Sequence, residues 1–279
     1  QDVYIGNANG DRSRMIINTN VTMNRAWVGI NQIANGALVQ NSGLMLVATN
    51  SGGTSIFDIG RDGAYGYYRM NGGTLRAGQF ALGGGSGNNL TANCGVFDQF
   101  SGAVNVTTTN GWLIWGWVGG YGVGNLFGGT LAAPPANYLS MSHTADYNSF
   151  GMLNLLGPTA FLNSLGNSSS RELRIVNSGG NLMSVINLNA GTILANQIYA
   201  NSTLTPSIFN FGGGRLLANG ATTKASTFMQ GLTAATVYPG GAVIDVSNAN
   251  VTVNQPLRAP TGYGVAAIPV SFGGVGYIG

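Results

Sequence analysis

Asn71-Gly72-Gly73-Thr74-Leu75 and Phe127-Gly128-Gly129-Thr130-Leu131 share one phrase, a pair of glycines followed by Thr-Leu opening an extended run. Looser copies are Asn189-Ala190-Gly191-Thr192-Ile193 and Gly212-Gly213-Gly214-Arg215-Leu216. Fainter ones are centred on Gly43, Gly102, Pro158 and Gly241. Taken at their third residue, the phrases fall at 43, 73, 102, 129, 158, 191, 214 and 241, a mean spacing of about 28 residues. A period in the range of 20 to 50 residues is the signature of a stacked repeat architecture.

Each period reads as short strands separated by Gly, Asn and Ser. After Gly73 come Thr74–Ala77, Gln79–Leu82 and Val96–Phe100. After Gly102 come Ala103–Thr107, Trp112–Trp117 and Gly124–Phe127. After Pro158 come Thr159–Leu162, Glu172–Val176 and Val185–Leu188. The runs are rich in β-branched and aromatic residues and often alternate. No amphipathic stretch of helical length survives its Gly and Asn interruptions. Three strands per period match one coil of a parallel β-solenoid, in which coils stack at about 4.8 Å. A sandwich or barrel needs no phrase returning every 28 residues or so, and a propeller repeats at about 40 to 50. The expectation is an all-β chain, a parallel β-helix of roughly ten coils, forming a rod of about 45–50 Å.

Composition agrees. The chain has 279 residues, of which 46 are Gly and 44% are hydrophobic, yet only 7% are charged. Ordinary soluble domains carry about 25% charged residues, and exposed helical bundles or coiled coils need them on their outer faces. The hydrophobic content excludes a disordered linker. The glycines have no three-residue period, which excludes collagen. No apolar run reaches the length of about 18 residues needed for a membrane-spanning helix. The net charge of +3 is spread along the chain rather than gathered on one segment, which argues against nucleic acid as a partner. Cys94 stands alone, so it reads as a small buried hydrophobe. Gln1 leads straight into Val3-Tyr4-Ile5-Gly6 with no signal peptide, as a secreted protein reads after processing.

The repeated phrases resemble a known family. Gly-Gly-Thr-Leu with an aromatic close by (Tyr68, Phe127) recurs alongside Ile5-Gly6-Asn7, Val28-Gly29-Ile30 and Ile59-Gly60-Arg61. Together with Phe209–Leu216, Phe228–Tyr238 and Gly240–Leu257, they resemble the autotransporter-associated β-strand repeats of secreted bacterial β-helical proteins. That resemblance implies a right-handed parallel β-helix, an extracellular location and a scaffold or passenger role rather than catalysis. Two departures stand out: no membrane-embedded barrel and no sorting tail at the C-terminus. The ending Gly273–Gly279 is similar to the start of another β unit, as in a processed or truncated product. Residues 1–260 are therefore assigned to the solenoid and 261–279 to an apolar, Gly-rich assembly segment.

Chemistry is sparse. A polysaccharide-cleaving solenoid needs carboxylates converging from adjacent coils. Only Asp58 and Asp62 are close in sequence, and Asp62-Gly63 beside Arg61 reads as a neutralised corner. His143 is the sole histidine and reads as a turn residue. No nucleotide, metalloprotease or calcium-repeat motif is present, so no cofactor, metal or catalytic residue is assigned. The aromatic groups are more telling. Strict alternation over 112–118 puts Leu113, Trp115 and Trp117 on one face and Trp112, Ile114 and Val118 on the other. Tyr65, Tyr67 and Tyr68 form a second group. A solenoid exposes unpaired strand edges at its ends unless capped. The residues expected to carry assembly are Val3, Tyr4 and Ile5 at one end, Trp115, Trp117 and Tyr121 on the side, and Phe272, Tyr277 and Ile278 at the other end. The function expected is a non-enzymatic extracellular fibre subunit whose partner is itself, stacked head to tail. The alternatives are an adhesin for cell-surface or matrix polysaccharide and, behind it, a polysaccharide-degrading enzyme.

Overall fold

The computed structural model describes residues 1–261 apart from 49–54, 86–92, 108–110, 134–138, 142–148, 165–171, 177–182, 203–204, 221–222 and 248. Strands dominate the regular structure of the described residues, and every strand pairing is parallel. One sheet of nine strands runs from Val3–Ile5 through Ala26–Ile30, Ile56–Arg61 and Gln79–Gly84 to Met229–Gln230. An isolated bridge from Met229 to Val253 adds the beginning of a tenth layer. Following the register from Val3 to Ala26, Phe57, Phe80, Leu113, Leu139, Leu173, Ile198, Met229 and Val253 covers 250 residues in nine steps, about 28 per coil.

The remaining 17 strands form two further faces. Arg12–Ile17, Asn35–Gln40, Tyr65–Met70 and Cys94–Gln99 open the second face, and Val21–Met23, Leu44–Val47, Thr74–Ala77 and Ala103–Val106 open the third. The two are joined because Tyr121–Ala132 and Phe150–Asn163 run unbroken round the corner between them. The chain is thus a three-faced parallel β-helix, as the spacing predicts. The strands Thr74–Ala77 and Glu172–Val176 have the boundaries read from sequence, and most others differ by a residue or two at an end.

Glycine shapes two of the corners. At the corner between the first and second faces, Gly60 has φ of +69°, and Gly95 of the next coil presses on it. A Cβ on Gly60 would lie 1.9 Å from the Cys94 carbonyl oxygen, and one on Gly95 would lie 2.2 Å from that of Ile59. Only hydrogen fits between the backbones there. This is the physical content of the Val/Ile-Gly phrase. The Gly-Gly-Thr-Leu phrase makes the next corner, where Gly43, Gly73, Gly102 and Gly129 stack with φ near +80°.

The core column follows from the alternation. Phe57, Phe80, Tyr68, Phe97 and Trp115 meet inside, with Phe57 and Phe80 stacked at 5.4 Å and Phe80 edge-on to Trp115 at 5.9 Å. Such pairs contribute roughly 0.5–1.5 kcal/mol each beyond their burial. The outward side of the nine-stranded sheet is also covered, since Trp27, Asp58, Ala81, Ile114 and Ser140 are all buried.

Three expectations are corrected. Gly129 pairs with Ala160, not Pro158, because two extra residues enter where the register passes from Leu126↔Leu155 to Gly128↔Thr159. Likewise Arg215 pairs with Val243, which puts Ala242 rather than Gly241 opposite Gly214. Cys94 is half-buried on the outer side of the second face, between Tyr65 and Tyr121 in register, rather than inside the core.

Candidate binding face

The second face presents three rows of outward residues along the rod. The row nearest the first corner runs Arg12, Asn35, Tyr65, Cys94, Tyr121 and Phe150. The middle row begins Arg14, Ala37, Tyr67, Val96 and Val123. The third row runs Arg69, Asp98, Asn125, Asn154, Asn187, Asn210 and Thr236.

The third row is a hydrogen-bonded ladder. Asn125 Nδ2 donates to Asp98 Oδ1 at 2.8 Å, Asn154 to Asn125 at 2.7 Å, Asn187 to Asn154 at 2.6 Å and Asn210 to Asn187 at 2.7 Å. Its direction has a cause. An ionised carboxylate only accepts, so Asn125 must turn its NH2 group to Asp98 and its carbonyl to the next coil, and each amide repeats the choice. Asp98 also accepts from the Tyr67 hydroxyl at 2.8 Å. Burial, that hydrogen bond and the carboxylate charge push the Tyr67 phenol up to about 12, so it stays a neutral donor. Asn154→Asp reverses one link by setting a carboxylate against the Asn125 carbonyl. A loss of about 1–3 kcal/mol in urea unfolding is expected, against about 1 for Asn154→Ala.

Elsewhere several of the charges are already engaged. Arg61 donates to Asp58 at 2.6 Å and to Asp62 at 3.2 Å, while Gln79 donates to the other Asp58 oxygen at 3.1 Å. Asp62 and Gly63 both have positive φ, the turn expected of Asp-Gly. Burial opposes ionisation of Glu172, but hydrogen bonds from Lys224 and Arg174 outweigh it and hold the carboxyl below its usual range. Arg215 pairs with Asp245. Among the described residues no three His, Cys, Asp or Glu side chains gather where a metal could sit. His143 lies outside the described residues.

The assembly residues named from sequence fall in different places. Trp115 is a correction: it is 0% exposed, packed in the core with its indole over Gly124, and offers no surface to a partner. Alternation does put Leu113 with it inside, but fails at Trp117, because Gly116 with φ of +74° turns the chain between them. Trp117 is half-buried, its ring edge 3.7 Å from the position a Gly84 Cβ would take. Tyr121 is exposed on the second face and tilts toward Phe150 at 6.2 Å. In the first coil, Ile5 points into the core, Val3 packs against its rim, and exposed Tyr4 stacks on Trp27 at 4.7 Å. Phe272, Tyr277 and Ile278 lie outside the described residues.

Sequence reasoning missed the Asn ladder, although the signal was there. Asn125, Asn154 and Asn187 recur at coil spacing within strands, where Asn is otherwise depleted. It also passed over Arg12 and Arg14, whose partners in space are set by register rather than neighbourhood. No protein-family model, no curated protein and no solved structure matches this chain.

Proposed function

We propose that the chain is a non-enzymatic extracellular structural protein, a β-helical rod that extends into a surface fibre or matrix when copies stack end to end. The observation that carries this reading is the repetition of like on like. Each coil offers the next the same parallel backbone edge, and within the rod Asn125 to Asn210 show how like side chains join across coils. A second copy in register would meet backbone hydrogen bonds of the same parallel kind as those inside the rod. The composition, polar with little charge, and the resemblance to secreted β-helical repeats support an exterior location.

The first coil supplies the test. Val3–Ile5, Arg12–Ile17 and Val21–Met23 each pair on one side only among the described residues. Met23 O accepts from Ala48 N, so by the alternation of a parallel ladder the Thr22 N–H points to the open edge. Thr22→Pro removes that donor without breaking a bond inside the rod. Wild-type protein should form filaments in negative-stain electron microscopy and sediment faster as its concentration rises. The variant, folded by circular dichroism, should remain as rods of about 45–50 Å. Single short rods of wild type at every concentration would refute the assembly.

A further inference from the structure

Arg12 and Arg14 both point outward from the first coil, two residues apart, and both side chains are exposed. Among the described residues neither makes an ion pair. Asp11, their nearest acid in sequence, accepts from the Asn7 and Ala8 N–H groups on one carboxylate oxygen and pairs with neither arginine. Above them the second coil places Asn35, Gly36 and Ala37, which are small. The third coil then rises again with Tyr65 and Tyr67. The result is a shallow, largely open slot of about 380 Å³ lined by these residues and Ser13. One wall is cationic, the other is aromatic, and the floor is a lone amide between small residues. The walls are two coil steps apart, roughly 9–10 Å.

We propose that this slot is a binding site for an acidic saccharide, a pyranose ring bearing a carboxylate. A guanidinium pair is the group that grips a carboxylate through forked hydrogen bonds. A tyrosine ring offers its face to the apolar C–H side of a sugar, and its hydroxyl can meet the ring's own hydroxyls, that of Tyr67 as an acceptor because its proton goes to Asp98. Tyr67 is held in place by its bond to Asp98 and, like Tyr65, is neutral, its phenol pushed up by burial first. The Asn35 amide adds a donor and an acceptor at the floor. An acidic peptide fits worse. The open backbone edge of Arg12–Ile17 runs beside the slot rather than through it, and the backbone groups of Asn35–Gln40 and Tyr65–Met70 are spent on each other, so a peptide lying in the slot finds no edge to pair with. The site uses three coils of a single chain, so it does not depend on end-to-end assembly.

Isothermal titration with a trisaccharide of 1,4-linked uronic acid tests this directly, with the methyl ester of the same trisaccharide as the uncharged probe of equal shape. Wild-type protein should bind the acid with a dissociation constant of about 10 µM to 1 mM, weakening as salt is raised. The ester should bind at least about tenfold more weakly. The double variant Arg12→Gln/Arg14→Gln should lose at least about tenfold, and Tyr65→Ala a similar factor, with unchanged melting curves. Arg76→Gln, on the third face, should bind as wild type. Absence of saturable binding would overturn the proposal. So would equal binding of the ester, equal binding of a peptide of matched charge, or no response to the Arg12 and Arg14 substitutions.

Discussion

Gly60→Ala is expected to abolish the native rod, whereas Gly10→Ala, at nearly the same backbone angle, is expected to be tolerated. The two positions separate strain from space. Gly60 has φ of +69° and Gly10 has +84°, so an alanine pays the left-handed penalty at both, about 1–2 kcal/mol. A Cβ on Gly10 meets nothing within 4 Å. One on Gly60 would stand 1.9 Å from the Cys94 oxygen and 2.7 Å from the Gly95 nitrogen, both backbone atoms of the coil above. Neither can retreat without opening the register of Cys94–Gln99 against Tyr65–Met70 and Tyr121–Ala132. The loss should therefore exceed about 4 kcal/mol, the range kept for backbone clash and comparable defects. Urea unfolding of both variants with far-ultraviolet circular dichroism checks it. A Gly60→Ala protein within about 1 kcal/mol of Gly10→Ala would show that the corner relaxes.

This contrast also explains why so much of the fold could be read from the chain. A corner that admits only hydrogen must be written as glycine in coil after coil, as at Gly60 and Gly83 and again at Gly73, Gly102 and Gly129. A period built on such positions is visible without any structure. What was not visible is whatever depends on register between coils. The two residues inserted before Thr159 moved one corner away from Pro158, because a corner on the outside of the rod can bulge without disturbing the core. The single turn at Gly116 sent Trp115 into the core and left Trp117 half-buried outside it, where strict alternation would have kept them together. The slot of Arg12, Arg14, Tyr65 and Tyr67 joins residues more than fifty positions apart and has no motif to announce it.

The scarcity of charge acquires a structural sense through the same register. Stacked coils bring equivalent positions within about 5 Å, so a charge repeated at one position would face itself along the rod. Among the described strand pairs no charged residue lies opposite one of like sign, and Arg69 lies opposite Asp98. Asparagine repeats without that cost and donates to its own kind, which is what the third row does from Asn125 to Asn210.

Where charge is buried it is paired, and Arg61→Met should expose the cost of breaking such a pair. Asp58 is 0% exposed on the covered outer side of the nine-stranded sheet. Burial raises its carboxyl above the ordinary range, and the Arg61 charge with hydrogen bonds from Arg61 and Gln79 opposes that rise only in part. Removing Arg61 leaves little to oppose the effect of burial, so a loss of about 3–5 kcal/mol is expected at neutral pH. The pH dependence follows from the sign. An acid whose folded pKa is raised contributes stability that is full below its unfolded pKa and fades as pH climbs through the folded value. Without Arg61 the folded value climbs further, so the deficit against wild type should shrink as pH is lowered from about 8 to about 5. A simple packing defect would be indifferent to pH over that range. The double variant Asp58→Asn/Arg61→Met should recover most of the loss, because a neutral amide keeps the shape and the Gln79 contact without the buried charge. Urea unfolding of the single and double variants at both pH values provides the measurement. A deficit that is the same at each pH, or a double variant no more stable than Arg61→Met alone, would place the role of Arg61 in its packing and not in its charge.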